Sequence, residues 1–358
     1  MLLERLALRN FRNYAELAVA FGPGLNVIAG GNAQGKTNLL EAIYWLLRAA
    51  PLRPVADRDL ILWGETTARA EGSVRAAGGA RTIAVAVGPD GKRIWAGGVP
   101  ARRRELVEST GVITFTPDDL WLVKGEPRER RRYLDREVAA FVPAYADDLG
   151  RYRRALAQRN AALRAADRSA VEVWTEKLVT YGARLVSARL QFLASLVPVA
   201  RELFARWDGA DLNVRYRSVT PLGGSDPASL AEALRAALAR NAARELDLGQ
   251  TLAGPHRDDL VLEVGGRPAG TAASQGQQRS LVLALKLAQV RLWRKQTGES
   301  PLMLLDDVFS ELDAARRDRL LAALDAGLQM FVTATQPPRL ETGAAVYQVA
   351  GGRLVKEV

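Results

Sequence analysis

The chain has no cysteine and a single histidine, His256. The first absence excludes disulfides and thiolate metal sites, and the second excludes multi-histidine metal centres. No run of about 18 apolar residues occurs, so no membrane span is expected. The N-terminus, Met1-Leu2-Leu3-Glu4-Arg5, mixes an acid and a base into its first residues and does not read as a signal peptide. These absences point to the cytoplasm and to no membrane partner. What is present is a globular composition, 48% hydrophobic over 358 residues, long enough for about two domains. Net charge is +10, which suits a polyanionic partner. Between Lys124 and Arg168 there are 12 Lys/Arg against 7 Asp/Glu, so half of the excess falls in an eighth of the chain.

One local pattern carries specific chemistry. Gly30-Gly31-Asn32-Ala33-Gln34-Gly35-Lys36-Thr37 follows an apolar run, Leu25 to Ala29, and precedes a helical apolar pattern, Leu39 to Leu47. Strand, glycine loop, lysine, hydroxyl and helix together make a P-loop. Backbone N–H groups of such a loop converge on a phosphate chain, and the helix N-terminus adds positive potential at the same point. Lys36 is expected to reach the β- and γ-phosphates of ATP, and Thr37 to ligate Mg²⁺.

The rest of the chain alternates in type. Residues 2–9, 17–21, 68–75, 81–87, 93–99 and 112–115 read as strands, with Asp90-Gly91 as a hairpin turn. From about 120 to 207 the pattern is helical. Val171, Trp174, Leu178, Tyr181, Leu185, Ala188 and Phe192 repeat at alternating spacings of three and four, a heptad seam. An antiparallel helical hairpin with a long arm, 171–207, fits this, with Pro198 expected to kink or end it. A projecting arm and a packed helical lobe read the same at this level. Strand 211–218, helix 229–247, strand 259–264, helix 274–295, strand 301–305, helix 313–325, strand 329–334 and a terminal hairpin complete the order. The expected architecture is an α/β ATPase head, a mostly parallel sheet flanked by helices with an antiparallel β-subdomain, split by an inserted helical lobe. The expected divisions are 1–119, 120–247 and 248–358.

Two later segments complete a site. Leu302-Met303-Leu304-Leu305-Asp306-Asp307 is a buried strand ending in two carboxylates, at the edge where open α/β sheets bind ligands. Asp306 is expected to hold Mg²⁺ and Asp307 to polarise the attacking water, although Asp307 also fits a solvated strand end. Ser274-Gln275-Gly276-Gln277 opens a strongly apolar helix. Ser274 with Gln277 fits a capping box, which explains both without a ligand. It does not explain Gly276 in a first helical turn, where Gly costs ~1 kcal/mol relative to Ala. Arg128, Arg130, Arg131, Arg132 and Arg136 are dense enough to track phosphates, or else form a helix face paired with Glu126, Glu129 and Glu137.

The P-loop, Ser274 to Gln278, Leu304 to Asp307, and Ser310-Glu311-Leu312-Asp313 together resemble the Walker A, signature, Walker B and D-loop series of ABC-type ATPases. The helical insertion and Asn10-Phe11-Arg12-Asn13-Tyr14 resemble the SMC/Rad50 branch. Gly254-Pro255-His256-Arg257-Asp258-Asp259, Pro117-Asp118-Asp119-Leu120 and Arg131-Arg132-Tyr133-Leu134-Asp135 are similar to the RecF family of bacterial recombination mediators. The resemblance covers essentially the whole length. It implies nucleotide contacts from Gly30 to Asn38 and from Arg12, with Lys36, Asp306 and Asp307 as catalytic residues. It implies an ATP-dependent homodimer in which Ser274, Gln275, Gly276, Gln277, Ser310 and Asp313 meet the other copy's nucleotide. It also implies DNA as partner (single-stranded, double-stranded and gapped junctions), cooperation with RecO and RecR, and indirect help to RecA loading.

Some positions depart from the wider pattern. Asp307 stands where transporter ATPases carry Glu, which predicts slow turnover. No histidine follows strand 329–334; Thr333-Ala334-Thr335-Gln336 stands there, and the γ-phosphate sensor is left open. The segment Thr116 to Asp118 takes the place of a Q-loop. His256 fits a structural role as well as a functional one. Two other classes compete with a DNA-binding ATP clamp. One is the ATP-driving subunit of a membrane transporter, disfavoured by the helical insertion and the basic charge. The other is a scaffold that binds ATP without hydrolysing it.

Overall fold

The computed structural model describes residues 1–308, 327–336 and 343–356. The chain divides into two compact units, Met1–Asp119 with Lys286–Val358, and Leu120–Leu285. Residues 248–285, placed by sequence with the C-terminal part, therefore cluster with the inserted unit. The expected helix 313–325 lies outside the described residues.

The first unit begins with β1 (Leu2–Phe11), β2 (Tyr14–Ala20), β3 (Leu25–Ala29), α1 (Lys36–Arg48), β4 (Ala68–Ala76), β5 (Gly79–Gly88), β6 (Gly91–Ala96), β7 (Val99–Pro100), α2 (Arg103–Ser109) and β8 (Val112–Phe115). The second unit contains α3 (Trp121–Lys124), α4 (Pro127–Phe141), α5 (Pro143–Arg164), α6 (Arg168–Asp208), β9 (Leu212–Arg217), α7 (Pro227–Leu248), β10 (Asp259–Val264), β11 (Arg267–Pro268) and α8 (Ala269–Ala272). The unit boundary falls within α9 (Gln275–Thr297), and β12 (Leu302–Leu305), β13 (Met330–Ala334), β14 (Ala345–Ala350) and β15 (Arg353–Lys356) return to the first unit.

Two sheets enclose α1. One is antiparallel, in the order β2-β1-β4-β5-β6-β7. Its strands alternate, with Leu3, Leu6, Leu8 and Phe11 buried from β1. The other runs β15-β14-β3-β13-β12-β8 and is parallel except for β15. Its inner strands are buried throughout, as parallel strands covered on both faces must be. Leu39, Leu40, Ile43, Trp45, Leu46 and Leu47 of α1 fill the core between the sheets. Each such side chain contributes roughly 1.5–3 kcal/mol. A buried ion pair, Lys286 with Asp119 at 3.5 Å, fastens the start of α9's second half, and Asp119 also accepts from the Thr116 N–H at 2.9 Å.

In the second unit, α5 and α6 form the expected helical pair. It is a packed lobe, since α6 also lies against α7 and β9. Pro198 neither ends nor interrupts α6, which is continuous over 41 residues. Leu196 on one side of the proline and Ala200, Leu203 and Phe204 on the other are all buried, and that packing offsets the ~3 kcal/mol a helix-interior proline costs. Among the described residues, α6 is the one helix long and apolar enough to cross a membrane, and half of its most apolar stretch is buried inside the protein.

Candidate functional site

Parallel order brings the site together. In the sequence β3-β13-β12, the loops after all three strands open at the same carboxyl-terminal edge. A cleft of about 360 Å³ lies there, lined by Asn32, Ala33, Gly35, Lys36, Thr37, Asn38, Arg53, Pro117, Asp306, Asp307 and Thr333.

The loop holds its shape through backbone geometry that only glycine supplies. Gly35 has φ 119°, and a Cβ there would sit 2.5 Å from Asn13 Nδ2. The loop is gripped from behind. Asn13 Nδ2 donates to the Gln34 carbonyl (3.0 Å), Tyr14 Oη donates to the Gly35 carbonyl (3.0 Å), and the Gly351 N–H donates to Gln34 Oε1 (2.8 Å). Asn38 Nδ2 donates to Asn13 Oδ1 at 2.9 Å. Gly30 and Gly31 do not line the cleft; their carbonyls accept from Lys36 Nζ at 2.7 and 2.8 Å.

The electrostatics are one-sided. Helix α1 has no acidic residue in its first turn and no side-chain cap at Gly35. Its leading N–H groups and the positive end of its dipole are therefore left for an anion. Among the described residues no carboxylate lies within ion-pair distance of Lys36. Next to Lys36 in the same turn, Thr37 Oγ1 donates to both oxygens of Asp306 (2.9 and 3.0 Å). Thr333 Oγ1 donates to Asp306 Oδ1 at 2.8 Å and accepts the Asp307 N–H at 2.8 Å. Burial raises the Asp306 pKa, the two hydroxyls oppose that rise, and neighbouring Asp307 adds to it.

An adjacent hydroxyl and carboxylate are hard oxygen donors of the kind Mg²⁺ takes. Among the described residues no cluster of three or more acidic or histidine side chains could hold a metal alone. A cation here would need further oxygens, and a phosphate chain on the loop supplies them. The residues present thus fit ATP and Mg²⁺.

Other expected residues lie elsewhere. Arg12 is not on the cleft wall; its Nε donates to buried Glu41 (2.7 Å) and its Nη1 to the Asp59 carbonyl (2.7 Å). Arg53 is on the wall, bonded to the same Glu41 at 3.1 Å and to Asn38 Oδ1 at 3.3 Å. Sequence reading missed Arg53, and named Thr333 only within the segment standing where a sensor histidine would be, without a role. The only local sign of Arg53 is its place between Pro51 and Pro54. Of the Thr116–Asp118 segment, Pro117 lines the cleft.

In the second unit, the capping box forms: the Ser274 N–H donates to Gln277 Oε1 (3.0 Å) and the Gln277 N–H to Ser274 Oγ (3.2 Å). Ser274 and Gln275 are exposed, while Gly276 and Gln277 are half-buried. Ser310 and Asp313 lie outside the described residues. The arginines of α4 divide. Arg130 forks onto Asp259 (2.7 and 3.0 Å), Arg131 donates to the Asp258 carbonyl (2.8 Å), and Arg136 pairs with Glu137 (2.7 Å). Arg128 and Arg132 are exposed.

His256 is half-buried in the second unit. Its Nε2 faces the Thr251 carbonyl, which can only accept, so Nε2 carries the proton and Nδ1 accepts from Tyr152 Oη at 2.6 Å. Burial lowers its pKa to about 4, and Arg257, Arg131 and Arg189 add to the drop. This geometry is structural.

A family described as "RecF/RecN/SMC N terminal domain" matches residues 2–354. The chain is 44% identical over 361 residues to the "DNA replication and repair protein RecF" of Desulforudis audaxviator (strain MP104C), covering all of both. It is similar to a solved structure described as "Structure of the recombination mediator protein RecF-ATPrS in RecFOR pathway", with TM-score 0.92, 30% identity, and 100% and 98% of the two chains covered. A second solved structure, "Crystal structure of the SmcHead bound to the C-winged helix domain of ScpA", shares the fold at TM-score 0.57 and 18% identity, over 100% and 98% of the chains.

Proposed function

The chain belongs to the RecF/RecN/SMC N-terminal-domain family, and from that premise we propose that it is an ATP-binding, slowly hydrolysing DNA-repair protein that dimerises on ATP at single-strand gaps. The observation that carries the nucleotide reading is the first turn of α1, uncapped and free of acid, which carries Lys36 and the Thr37 hydroxyl bonded to Asp306. The relatives' names support the repair context, and a related structure described with a bound ATP analogue supports the ligand.

In this reading the loop N–H groups and Lys36 bind the β- and γ-phosphates. Asp307 orients a water, the γ-phosphoryl group passes to that water, and ADP leaves. Thr37 and Asp306 would hold Mg²⁺, which would supply charge neutralisation on the phosphates. The exposed Ser274 turn receives the γ-phosphate of a second copy's nucleotide, so ATP joins two chains and hydrolysis releases them. DNA is held through its phosphates, and cooperation with RecO and RecR and help to RecA loading belong to the same proposal, supported by the relatives' names.

Sedimentation with and without ATP, repeated on gapped DNA, tests this. Lys36→Met is expected to lose both nucleotide binding and pairing while the monomer stays folded. Ser274→Arg is expected to bind ATP and remain a monomer; a Ser274→Arg chain that still pairs contradicts the two-copy sandwich. Phosphate release at background from the parent would favour an ATP-gated scaffold instead.

A further inference from the structure

The sequence offers no histidine after β13 to sense the nucleotide's end, but within that strand Thr333 bonds to the carboxylate pair. Strand β13 lies between the P-loop strand β3 and the carboxylate strand β12. In the parallel register Thr333 is opposite Ile28, and Val332 is opposite Leu305. Thr333 is thus level with Asp306, at the carboxyl edge, on the cleft wall. Its side chain is fully buried, with 1% of the residue exposed.

One hydroxyl serves two neighbours. The Asp307 N–H can only donate, so it occupies a lone pair of Thr333 Oγ1, and the single hydroxyl proton is left to point at Asp306 Oδ1. The direction of this chain is therefore fixed. Asp306 in turn accepts from Thr37 at the head of α1, so three elements meet on one carboxylate. At the other end, Asp307 adopts φ 52°, a left-handed conformation that residues other than glycine rarely take and that must be held by its surroundings. Its N–H is held by Thr333. A buried threonine needs partners in any fold. Here both partners are the residues expected to do the chemistry.

We propose that Thr333 is the positioning residue of this site, aiming Asp306 at the Thr37 hydroxyl and locking the backbone turn that sets Asp307 on the cleft. The proposal rests on the ATPase reading for its kinetic consequence, but its geometric consequence is independent of turnover. A carboxylate that loses its outer hydrogen-bond partner holds a cation less well.

The test is a Mg²⁺ titration of the full chain binding a fluorescent non-hydrolysable ATP analogue, together with steady-state ATP hydrolysis. Thr333→Val removes the hydroxyl at constant volume; Thr333→Ala is carried in parallel so that no result hangs on one variant's folding. Both are expected to raise the half-saturating Mg²⁺ about 10-fold and to lower kcat by a similar factor. The analogue's affinity at saturating Mg²⁺ is expected to stay within about twofold of the parent. Thr333→Ser, which keeps the hydroxyl, is expected to restore both. An unchanged Mg²⁺ requirement in Thr333→Val and Thr333→Ala overturns the proposal. So does a Thr333→Ser chain as impaired as Thr333→Val, since the methyl group and not the hydroxyl would then matter. Should the parent itself release no phosphate, the hydrolysis reading falls, and the Mg²⁺ titration alone decides the role of Thr333.

Discussion

The phosphate loop of the first unit and the arginine-rich helix α4 of the second are both places where positive potential is concentrated, and they use it in opposite ways. Among the described residues Lys36 bonds to the backbone carbonyls of Gly30 and Gly31, and α1 begins with neither an acid nor a side-chain cap. That potential stays directed into the cleft. In α4, Arg130 is forked onto Asp259, Arg131 is bonded to the Asp258 carbonyl, and Arg136 is paired with Glu137. Arg189 of α6 goes further. It is wholly enclosed by Asp135, Tyr145, Tyr216 and the Pro255 carbonyl. A cation is available to a ligand only where its own chain has not already satisfied it, and a count of arginines does not reveal that.

The comparison breaks hardest at a cation that holds the second unit together. Arg159 and Glu245 are both buried, 3% and 0% exposed, and paired at 2.7 Å. Arg159→Met leaves the Glu245 charge alone in the interior, and the expected loss is about 3–5 kcal/mol in urea unfolding. The double change Arg159→Met with Glu245→Leu should recover most of that loss. A single variant as stable as the parent would mean that arginines in this unit are not structural.

A smaller effect is expected at His256. Its folded pKa is about 4, against about 6.5 unfolded. As pH falls, the unfolded chain takes up the proton first. The stabilising contribution is therefore complete above pH 6.5 and drains away between about 6.5 and 4, by about 3 kcal/mol. His256→Gln lacks this component, so the stability gap between parent and variant should narrow by that amount across the window. A gap constant with pH would remove His256 from the buried web.

The smallest effects are expected within α4 itself. Arg130→Ala is expected to cost about 1.5–3 kcal/mol of stability, because its charged hydrogen bonds to Asp259 are lost. Arg128→Ala and Arg132→Ala should each change stability by no more than about 0.5 kcal/mol. Yet each is expected to weaken DNA binding and to lower its salt slope by about one. Filter binding at several salt concentrations reads both quantities. DNA binding that is indifferent to Arg128 and Arg132 would move the contact surface away from this helix.

What could be read in one dimension followed from adjacency. The strand, glycine loop, Lys36, Thr37 and α1 are contiguous, and their chemistry needs only local geometry. The heptad spacing of α6 and the capping box at Ser274 are likewise local, and both appear as expected. Pro198 misled because its penalty is local while the packing of Leu196, Ala200, Leu203 and Phe204 that offsets it is not. Residues 248–285 read as part of the ATPase end by order along the chain, but their contacts tie them to the helical unit.

The phosphate loop, the carboxylate strand and the alternation of strand and helix are legible along the chain, because each is fixed by residues within a turn or two of one another. It took folding in three dimensions to link Asp306 to Asp307 through Thr333, to bring Arg53 rather than Arg12 to the cleft, and to leave Arg128 and Arg132 of α4 exposed. Those facts depend on the order of strands in a sheet and on partners 12 to 129 residues away. Hydrogen bonds and ion pairs are short-ranged in space and indifferent to distance along the chain, so only the folded arrangement assigns them.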